Sequence, residues 1–299
     1  MQFKETLRKR RIVVPAKAGT TFEKTKIGPP PSRGRPLQSF SSACLLALLL
    51  AAGCAGTPEE ESIVWSDRLA RSLELERGEV IEVARFSRLR PGAALEPWEQ
   101  FLVVRGNAPT DYRVAEVDGT AAVRAEGREG GSGLWRKIRI DPLRTPILEW
   151  RWLVPRPDPG SPPLAVTSSH SPIARLSLAF HGDADKLDFE DRAKLRLAKA
   201  LTVHGLPFAS LLYVWMIGEP VDTVLRSPHT DRVRMIVVES GAQRAGEWVT
   251  IRRNVVEDFR RAFEEEPGDI ISVGLMTDYG DDGSPRRAVY GDITLRSAP

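Results

Sequence analysis

The sequence predicts a mainly β fold, an antiparallel sandwich or barrel, for the chain after residue 78. The first observation is a series of short segments in which apolar and polar residues alternate, as they do in half-buried strands. The second is the turn chemistry between these segments, such as Asp118–Gly119, a dipeptide that two-residue hairpin turns prefer. The third is the scarcity of segments with helical periodicity. Many strands joined by short turns are typical of sandwiches and barrels.

The predicted strands follow one another with short connections. Tyr112–Val117 and Thr120–Glu126 form a hairpin, and the glycine-rich segment from Gly127 to Gly133 leads to the next strand. A loop rich in proline separates the central strands, from Pro155 to Pro163. In chain order, the predicted strands are Val80–Phe86, Tyr112–Val117, Thr120–Glu126, Trp135–Ile140, Ile147–Val154, Ile173–His181, Leu211–Met216, Val233–Glu239, Trp248–Val255, Ile270–Thr277 and Ala288–Leu295.

Three segments have helical character. A short helix is expected over Ser66–Leu75, next to the start of the first strand. A longer one covers Phe189–Val203, with Asp188 as its N-cap and Gly205 as its stop. The third, Val256–Phe263, lies late in the chain. The expected fold is therefore a sandwich with one or two inserted helices.

The N-terminal region predicts an exported lipoprotein. The apolar run from Ala43 to Ala52 is too short to span a bilayer, which needs about 20 residues, and it fits the apolar core of a cleavable signal. Small residues follow it up to Cys54, whose thiol is the atom that would be acylated. The basic segment before the run is long and contains the helix breakers Gly28–Pro31, which indicates a true start further in. Alternatively, Cys54 is an ordinary small residue of a signal cut by a different peptidase.

This interpretation divides the chain into three parts. Residues 1–53 are a signal peptide, residues 54–78 a lipidated tether, and residues 79–299 a single β-sandwich domain. The lipid anchor makes the membrane a predicted partner. Because Ala55 and not an aspartate follows the cysteine, we expect sorting to the outer membrane in a Gram-negative host, with the domain facing the periplasm or the cell surface.

Charge and cysteine usage exclude several classes of function. The whole chain has 43 basic and 40 acidic residues, but residues 1–53 contain ten of the former and two of the latter. The remainder has 33 basic and 38 acidic residues, a net charge of −5, which argues against a nucleic-acid partner. The two cysteines, Cys44 and Cys54, both lie in the signal region. After processing there is no disulfide, no thiolate metal cage and no cysteine nucleophile.

Aromatic residues recur with the two-residue period of a strand. Trp150 and Trp152 share one face of their strand with Leu148 and Val154, whereas Tyr213 and Trp215 form a second pair at the same spacing. These rings either form platforms on which a sugar stacks or fill the core between two sheets. The aliphatic neighbours favour the core for Trp150 and Trp152. We retain as ligand-binding candidates Tyr213, Trp215, Asp278, Tyr279 and Asp281.

No segment carries a specific catalytic motif. The acidic stretch from Asp183 to Asp191 lacks the glycine and the terminal glutamate of a calcium loop and is better explained as a loop and a helix start. Asp278 to Gly283 has the composition of a polar hairpin turn, or else of a cation or ligand loop. The four histidines lack metal-ligand spacing, and there is no nucleophile elbow. A spatial Ser/His/Asp triad stays open, because triads are not recognised by sequence order.

Six segments of the chain form a characteristic set in a fixed order: Thr145–Trp152, Leu212–Trp215, Ser227–Val233, Arg253–Phe259, Gly274–Asp278 and Tyr290–Ile293. Together they resemble one exported bacterial family, known only as domain of unknown function 3047. The resemblance spans Val80 to Leu295, and it implies no catalytic residues because the family has no established activity.

The last strand, Tyr290–Leu295, is also similar, more distantly, to that of galactose-binding-like jelly-roll modules. In several of these modules an aspartate helps to hold a structural calcium. This likeness implies a jelly-roll-like sandwich and gives Asp292 as a metal candidate. No cofactor other than such a structural calcium is expected.

The leading hypothesis is a lipid-anchored, non-enzymatic envelope protein that binds a glycan or another envelope polymer. It depends on analogy of fold, which does not by itself establish function. One alternative is a hydrolase that acts on an envelope polysaccharide with carboxylates such as Asp278 or Asp281 and a histidine. Another is a structural partner in an envelope protein complex.

Overall fold

The computed structural model describes residues 68–102, 108–127, 132–161, 164, 172–183, 187, 189, 192, 207–227, 230–277 and 285–298. Outside these residues lie the predicted signal region with Cys54, most of the predicted helix over Phe189–Val203, and the candidates Asp278, Tyr279 and Asp281. The described residues all belong to one compact unit, Ala55–Pro299. Among them, no helix has the length and apolarity needed to cross a membrane.

The first sheet has six strands. Its order is β11-β6-β13-β4-β3, and β1 also pairs with β13. The long strand β13 contacts β6 over most of its length, β4 over its first half and β1 near its end. All of these pairs are antiparallel. The strands are β1 (Val80–Ala84), β3 (Asp111–Val117), β4 (Thr120–Gly127), β6 (Ile147–Leu153), β11 (Val249–Asn254) and β13 (Arg286–Arg296).

The second sheet has seven strands, in the order β2-β5-β12-β7-β8-β10-β9. Two of them, β2 and β9, are absent from the predicted set, because segments of four and three residues are too short for a pattern of alternation to be recognised. The strands are β2 (Glu99–Leu102), β5 (Ser132–Ile140), β7 (Ala174–Phe180), β8 (Ala209–Met216), β9 (Val224–Arg226), β10 (Val233–Ser240) and β12 (Ile270–Met276).

One pair departs from the predicted antiparallel pattern, since β10 runs parallel to β8. The short strand β9 is the cause. After β8, the chain first forms β9, leaving room for one strand between the two. It then turns back, and β10 fills this place, antiparallel to β9 and therefore parallel to β8. The other described pairs of this sheet are antiparallel.

The two sheets pack face to face through aromatic rings, which confirms the predicted mainly β, jelly-roll-like sandwich. Trp150 and Trp152 project from β6, are 2% and 0% exposed, and meet edge to face with centroids 5.4 Å apart. From the other sheet, Tyr213 lies 5.2 Å from Trp150 and Trp215 lies 6.2 Å from Trp152. The interpretation of the two β6 tryptophans as core residues is therefore confirmed.

Two of the predicted helices are described over several consecutive residues. Residues 68–72 are helical, within the predicted Ser66–Leu75 segment. Helix α1 (Val255–Phe263) begins one residue earlier than predicted, because the Asn254 side chain accepts hydrogen bonds from the backbone amides of Val256 and Glu257. Its apolar residues close the core, with Phe259 4.6 Å from Phe180.

Candidate functional site

Tyr213 and Trp215, two of the predicted ligand-binding residues, are core residues. Both have 0% exposure, and the Trp215 indole nitrogen donates a hydrogen bond to the carbonyl of Gly241. A ring without accessible surface cannot stack on a sugar, so the prediction that these two bind a ligand is wrong. The period-two pattern identified their strand face correctly; the sequence does not say that the opposite sheet covers that face.

The Tyr213 hydroxyl takes part in a buried polar cluster. It donates to Asp258 of α1 over 3.0 Å, and the Arg253 guanidinium donates to the same carboxylate over 2.8 and 2.6 Å. Burial, and then the charge of Asp258, raise the pKa of Tyr213 well above its ordinary value. A phenol of raised pKa remains protonated, which suits a structural hydrogen-bond donor and not a nucleophile.

Asp292, the metal candidate, makes contacts within the protein. Its two carboxylate oxygens accept hydrogen bonds from the backbone amide and the hydroxyl of Ser87, in the 3-10 turn Phe86–Arg88. Within the described part of the chain, there is no group of three or more His, Cys, Asp or Glu side chains that could hold a metal ion. The observed role of Asp292 is to tie this turn to β13.

The remaining predicted site residues, Asp278, Tyr279 and Asp281 together with Cys54, lie outside the described residues. The chain that leads into Asp278 is firmly held. Thr277 is fully buried, shares a 2.7 Å hydrogen bond with the Tyr290 hydroxyl, and accepts one of 2.7 Å at its carbonyl from the Thr110 hydroxyl.

A groove of about 400 Å³ lies on the outer face of the six-stranded sheet, and we call it the arginine groove. Its lining combines charged side chains with a small apolar floor. Next to it lies a smaller pocket of about 160 Å³, which shares the segment from Pro155 to Asp158. The arginine groove is lined by Asp111, Arg113, Arg124, Ala125, Glu126, Pro155, Arg156, Asp158, Arg287, Ala288 and Val289.

Strand alternation explains why charged residues collect here. On β4, Val123 and Ala125 are buried against the core, so Arg124 and Glu126 project from the opposite face. Register then brings their partners beside them: Arg113 of β3 lies directly across from Arg124, and Arg287 of β13 directly across from Glu126. The outer face of three adjacent strands therefore carries the polar side of the groove.

Ion pairs orient one side of the groove. The Arg287 guanidinium donates to Asp158 over 2.7 Å and lies 3.7 Å from Glu126, so that it sits between two carboxylates. The hydrogen bond to Asp158 is the main reason that the pKa of Arg287 is raised. Arg113 forms a longer contact of 3.5 Å with Asp111.

Arg156 is positioned by the backbone. Its Nε donates to the carbonyl of Ala245 over 2.9 Å, and its side chain lies against Gly246. Gly246 has φ of +85°, and a Cβ at this position would lie 3.0 Å from the Arg156 Nε, so that a glycine suits both the turn and the close approach.

An apolar cluster with one tryptophan borders the groove. Val289 belongs to the groove and also to this cluster, in which Trp248 packs against Leu153 and Ala122. The Arg151 guanidinium lies 4.5 Å from the centre of the Trp248 ring. Gly291 makes room for Arg151, because a Cβ there would lie 2.5 Å from its Cγ.

A second aromatic surface lies on the outer face of the seven-stranded sheet. Phe101 of β2 and Trp135 of β5 are half-buried, with centroids 4.9 Å apart. Lys137 lies 5.2 Å from the Trp135 ring and forms a 2.7 Å ion pair with Glu99.

Comparison with known proteins identifies the family. A family model described as protein of unknown function (DUF3047) matches residues 96–294. The chain belongs to the DUF3047 family. This match confirms the resemblance seen in the sequence, and it includes every residue of the arginine groove. No protein with a curated description is significantly similar to this DUF3047 chain in sequence.

Several solved structures are similar to this DUF3047 protein at very low sequence identity. A family 11 carbohydrate-binding module of the cellulase Lic26A-Cel5E of Clostridium thermocellum gives a TM-score of 0.38 at 10% identity, over 75% of this chain and 97% of the module. The Clostridium thermocellum family 11 module in complex with a β-1,3-1,4-mixed-linked tetrasaccharide gives 0.35 at 11% identity, over 70% and 94%. The K1 cleaved adhesin domain of Lys-gingipain from Porphyromonas gingivalis gives 0.30 at 8% identity, over 74% and 100%.

The sequence prediction missed the arginine groove. Its residues come from β3, β4, β13 and the loop after β6, and each charged residue among them is an unremarkable polar residue when considered alone. A usable signal exists in the hairpin Tyr112–Glu126, since its two-residue turn fixes the register and places Arg113 opposite Arg124. The partners from β13 and the proline-rich loop depend on long-range pairing.

Proposed function

We propose that this protein is a non-enzymatic binding module for a saccharide chain and that the arginine groove is its binding surface. The observation that carries the proposal is the composition of the groove, in which charged donors and acceptors stand beside a small apolar floor. Ligand sites in proteins typically have this form, concave with a few oriented polar groups.

The chemistry of the groove matches a hydroxyl-rich ligand. A sugar hydroxyl donates one hydrogen bond and accepts others. Guanidinium groups such as that of Arg156 donate only, and ionised carboxylates such as that of Asp158 accept only, so each finds a complement on the same ring. The partly exposed ring of Pro155 offers contact to the apolar face of a sugar ring.

The arrangement of the acidic groups favours binding over hydrolysis. A glycosidase uses two carboxylic groups that flank the scissile bond, one as acid and one as base or nucleophile. In the groove, Glu126 and Asp158 have the Arg287 guanidinium between them, and Asp111 contacts Arg113. These described carboxylates orient arginines, which is the arrangement expected of a binding surface.

The test combines a glycan array with turnover assays on the same polymers. We expect the full chain to bind one class of envelope or extracellular polysaccharide and to release no product. Arg287→Gln removes a charge-assisted donor, so it should weaken binding about tenfold or more. The matched control is Arg226→Gln, the same change on the edge strand β9, where the side chain is 73% exposed.

Each other outcome has a definite meaning. Product release that Arg287→Gln or Asp158→Asn abolishes would replace the binding module by the hydrolase. Equal loss of binding in Arg287→Gln and Arg226→Gln would remove the groove as the site. If no glycan on the array is bound and no product is released in the turnover assays, saccharide binding is refuted and a protein partner in the envelope is favoured.

We also propose that the module is anchored in the outer membrane by acylation of Cys54, after removal of the preceding residues. The support is the apolar run with small residues before the cysteine. The measurement is the intact mass of protein extracted from membranes. A mature form that begins elsewhere, or that lacks the added lipid mass, would refute the anchor without bearing on the groove.

A further inference from the structure

We infer that the saccharide bound in the arginine groove is acidic and that Arg113 and Arg124 together receive one of its carboxylates. This inference rests on the proposed function and adds the chemical class of the ligand. It depends on the pairing of these two arginines and on the distribution of carboxylates in the groove.

The pairing of Arg113 with Arg124 is unfavourable for the sheet by itself. The two residues are direct Cα partners in the antiparallel pair of β3 and β4, and both are exposed. Directly opposed side chains on one face of a sheet lie about 5 Å apart at Cβ, and like charges in this position destabilise the pair. An anion held between the two guanidinium groups turns this repulsion into two attractive contacts.

Among the described residues, the acidic side chains do not neutralise all the cations of the groove. Three acidic side chains face four arginines, and two of the three, Glu126 and Asp158, contact Arg287. The third, Asp111, contacts Arg113. Within the described residues, no carboxylate lies within ion-pair distance of Arg124 or Arg156. The described lining of the groove therefore has an excess of positive charge, although the chain after residue 53 has a net negative charge.

The geometry of the guanidinium group favours a carboxylate as the counterion. Its planar fork of N–H donors matches the two oxygens of a carboxylate, and such paired contacts are shorter and stronger than neutral hydrogen bonds. Hexuronate residues carry such a carboxylate on every ring. A uronate polymer therefore satisfies the arginine pair and, through its hydroxyls, the carboxylates on the other side of the groove.

The experiment compares two polymers that differ only in charge. Binding of the full chain is measured to polygalacturonate and to its fully methyl-esterified form, at low and at high salt. We expect the acid form to bind at least tenfold more tightly at low salt, with the difference reduced at high salt because charge interactions are screened. Arg124→Gln should remove most of this difference, whereas Arg226→Gln, the control, should leave it unchanged. Dextran sulfate serves as a probe of charge without carboxylates.

The outcomes separate this inference from the proposed function. Equal affinity for the acid and the ester, or binding only to neutral glycans on the array, would overturn the acidic ligand and leave saccharide binding in place. The acidic-saccharide inference would also be overturned if dextran sulfate bound as tightly as polygalacturonate or more tightly, and if Arg124→Gln and Arg226→Gln weakened binding equally. Charge alone would then explain the result. Unchanged binding of the acid form by Arg124→Gln would overturn the role of the arginine pair.

Discussion

Removing the hydroxyl of Tyr213 is expected to destabilise the fold and leave ligand binding intact. The Tyr213→Phe variant keeps the ring that contacts Trp150 at 5.2 Å and loses only the 3.0 Å hydrogen bond to Asp258. A hydrogen bond to a charged group contributes about 1.5–3 kcal/mol. Asp258 keeps two hydrogen bonds from Arg253, so its carboxylate still has hydrogen-bond donors. We therefore expect the free energy of unfolding to fall by an amount at the lower end of this range, about 1.5–2 kcal/mol.

Replacing the acceptor, Asp258, should lower the free energy of unfolding more than replacing the donor, Tyr213. The Asp258 side chain is 7% exposed, and Asp258→Asn removes the charge that the Arg253 guanidinium faces at 2.6 Å. Breaking one partner of a buried pair costs about 3–5 kcal/mol. Arg253 retains Asp222 at 2.8 Å, which places the expected loss near 3 kcal/mol.

Guanidinium unfolding of the full chain, followed by tryptophan fluorescence, measures both losses, and the double variant gives the coupling of the two residues. We expect a coupling above about 0.5 kcal/mol, as for residues in direct contact. A Tyr213→Phe loss below about 0.5 kcal/mol, or weaker glycan binding at unchanged stability, would refute the assignment of Tyr213 to the core network.

Three further expectations concern the core and the groove border. Burial raises the pKa of Tyr213, so the stability that its protonated hydroxyl contributes is fully present below the unfolded pKa near 10 and is lost as pH rises through that value towards the folded pKa. Absorbance titration should show the ionisation of Tyr213 only on unfolding, and a fast, reversible ionisation in the native protein that Tyr213→Phe removes would contradict this. Trp150→Ala should cost about 3–5 kcal/mol in denaturant unfolding, the range for a large buried ring, and a loss below about 1 kcal/mol would contradict its burial. Gly291→Ala places a Cβ 2.5 Å from the Arg151 Cγ, so it should cost about 1–3 kcal/mol and change the fluorescence of the Trp248 region; an unchanged spectrum and stability would show that Arg151 does not lie across Gly291.

The predicted aromatic site illustrates what local patterns leave open. The two-residue period correctly places Trp150 and Trp152 on one face of β6, and Tyr213 and Trp215 on one face of β8. Whether such a face is buried depends on which strands lie opposite. The ring contacts across the sandwich show that both faces point at each other, which turns two candidate ligand residues into core residues.

The arginine groove is the opposite case, a candidate site that only the tertiary structure reveals. Arg113, Arg124 and Arg287 are ordinary polar residues in alternating strands, and nothing in their sequence neighbourhood predicts a site. They meet because β3 and β4 form a hairpin and β13, more than 150 residues later, pairs with β4 in one register. A shift of one residue would turn these side chains to the other face.

The sequence alone determined the mainly β fold, most strands and the burial of the β6 tryptophans, because these depend on local alternation, turn residues and hydrophobicity. It also indicated the family, through the resemblance of several segments taken together. It placed the start of α1 at Val256, one residue late, because the cap formed by Asn254 was not identified from the sequence. Only the tertiary structure decided the parallel pair of β8 and β10, the burial of Tyr213 and the collection of charge in the groove. These features arise from pairing between distant segments, whose free energy depends on the register and packing of the whole sandwich.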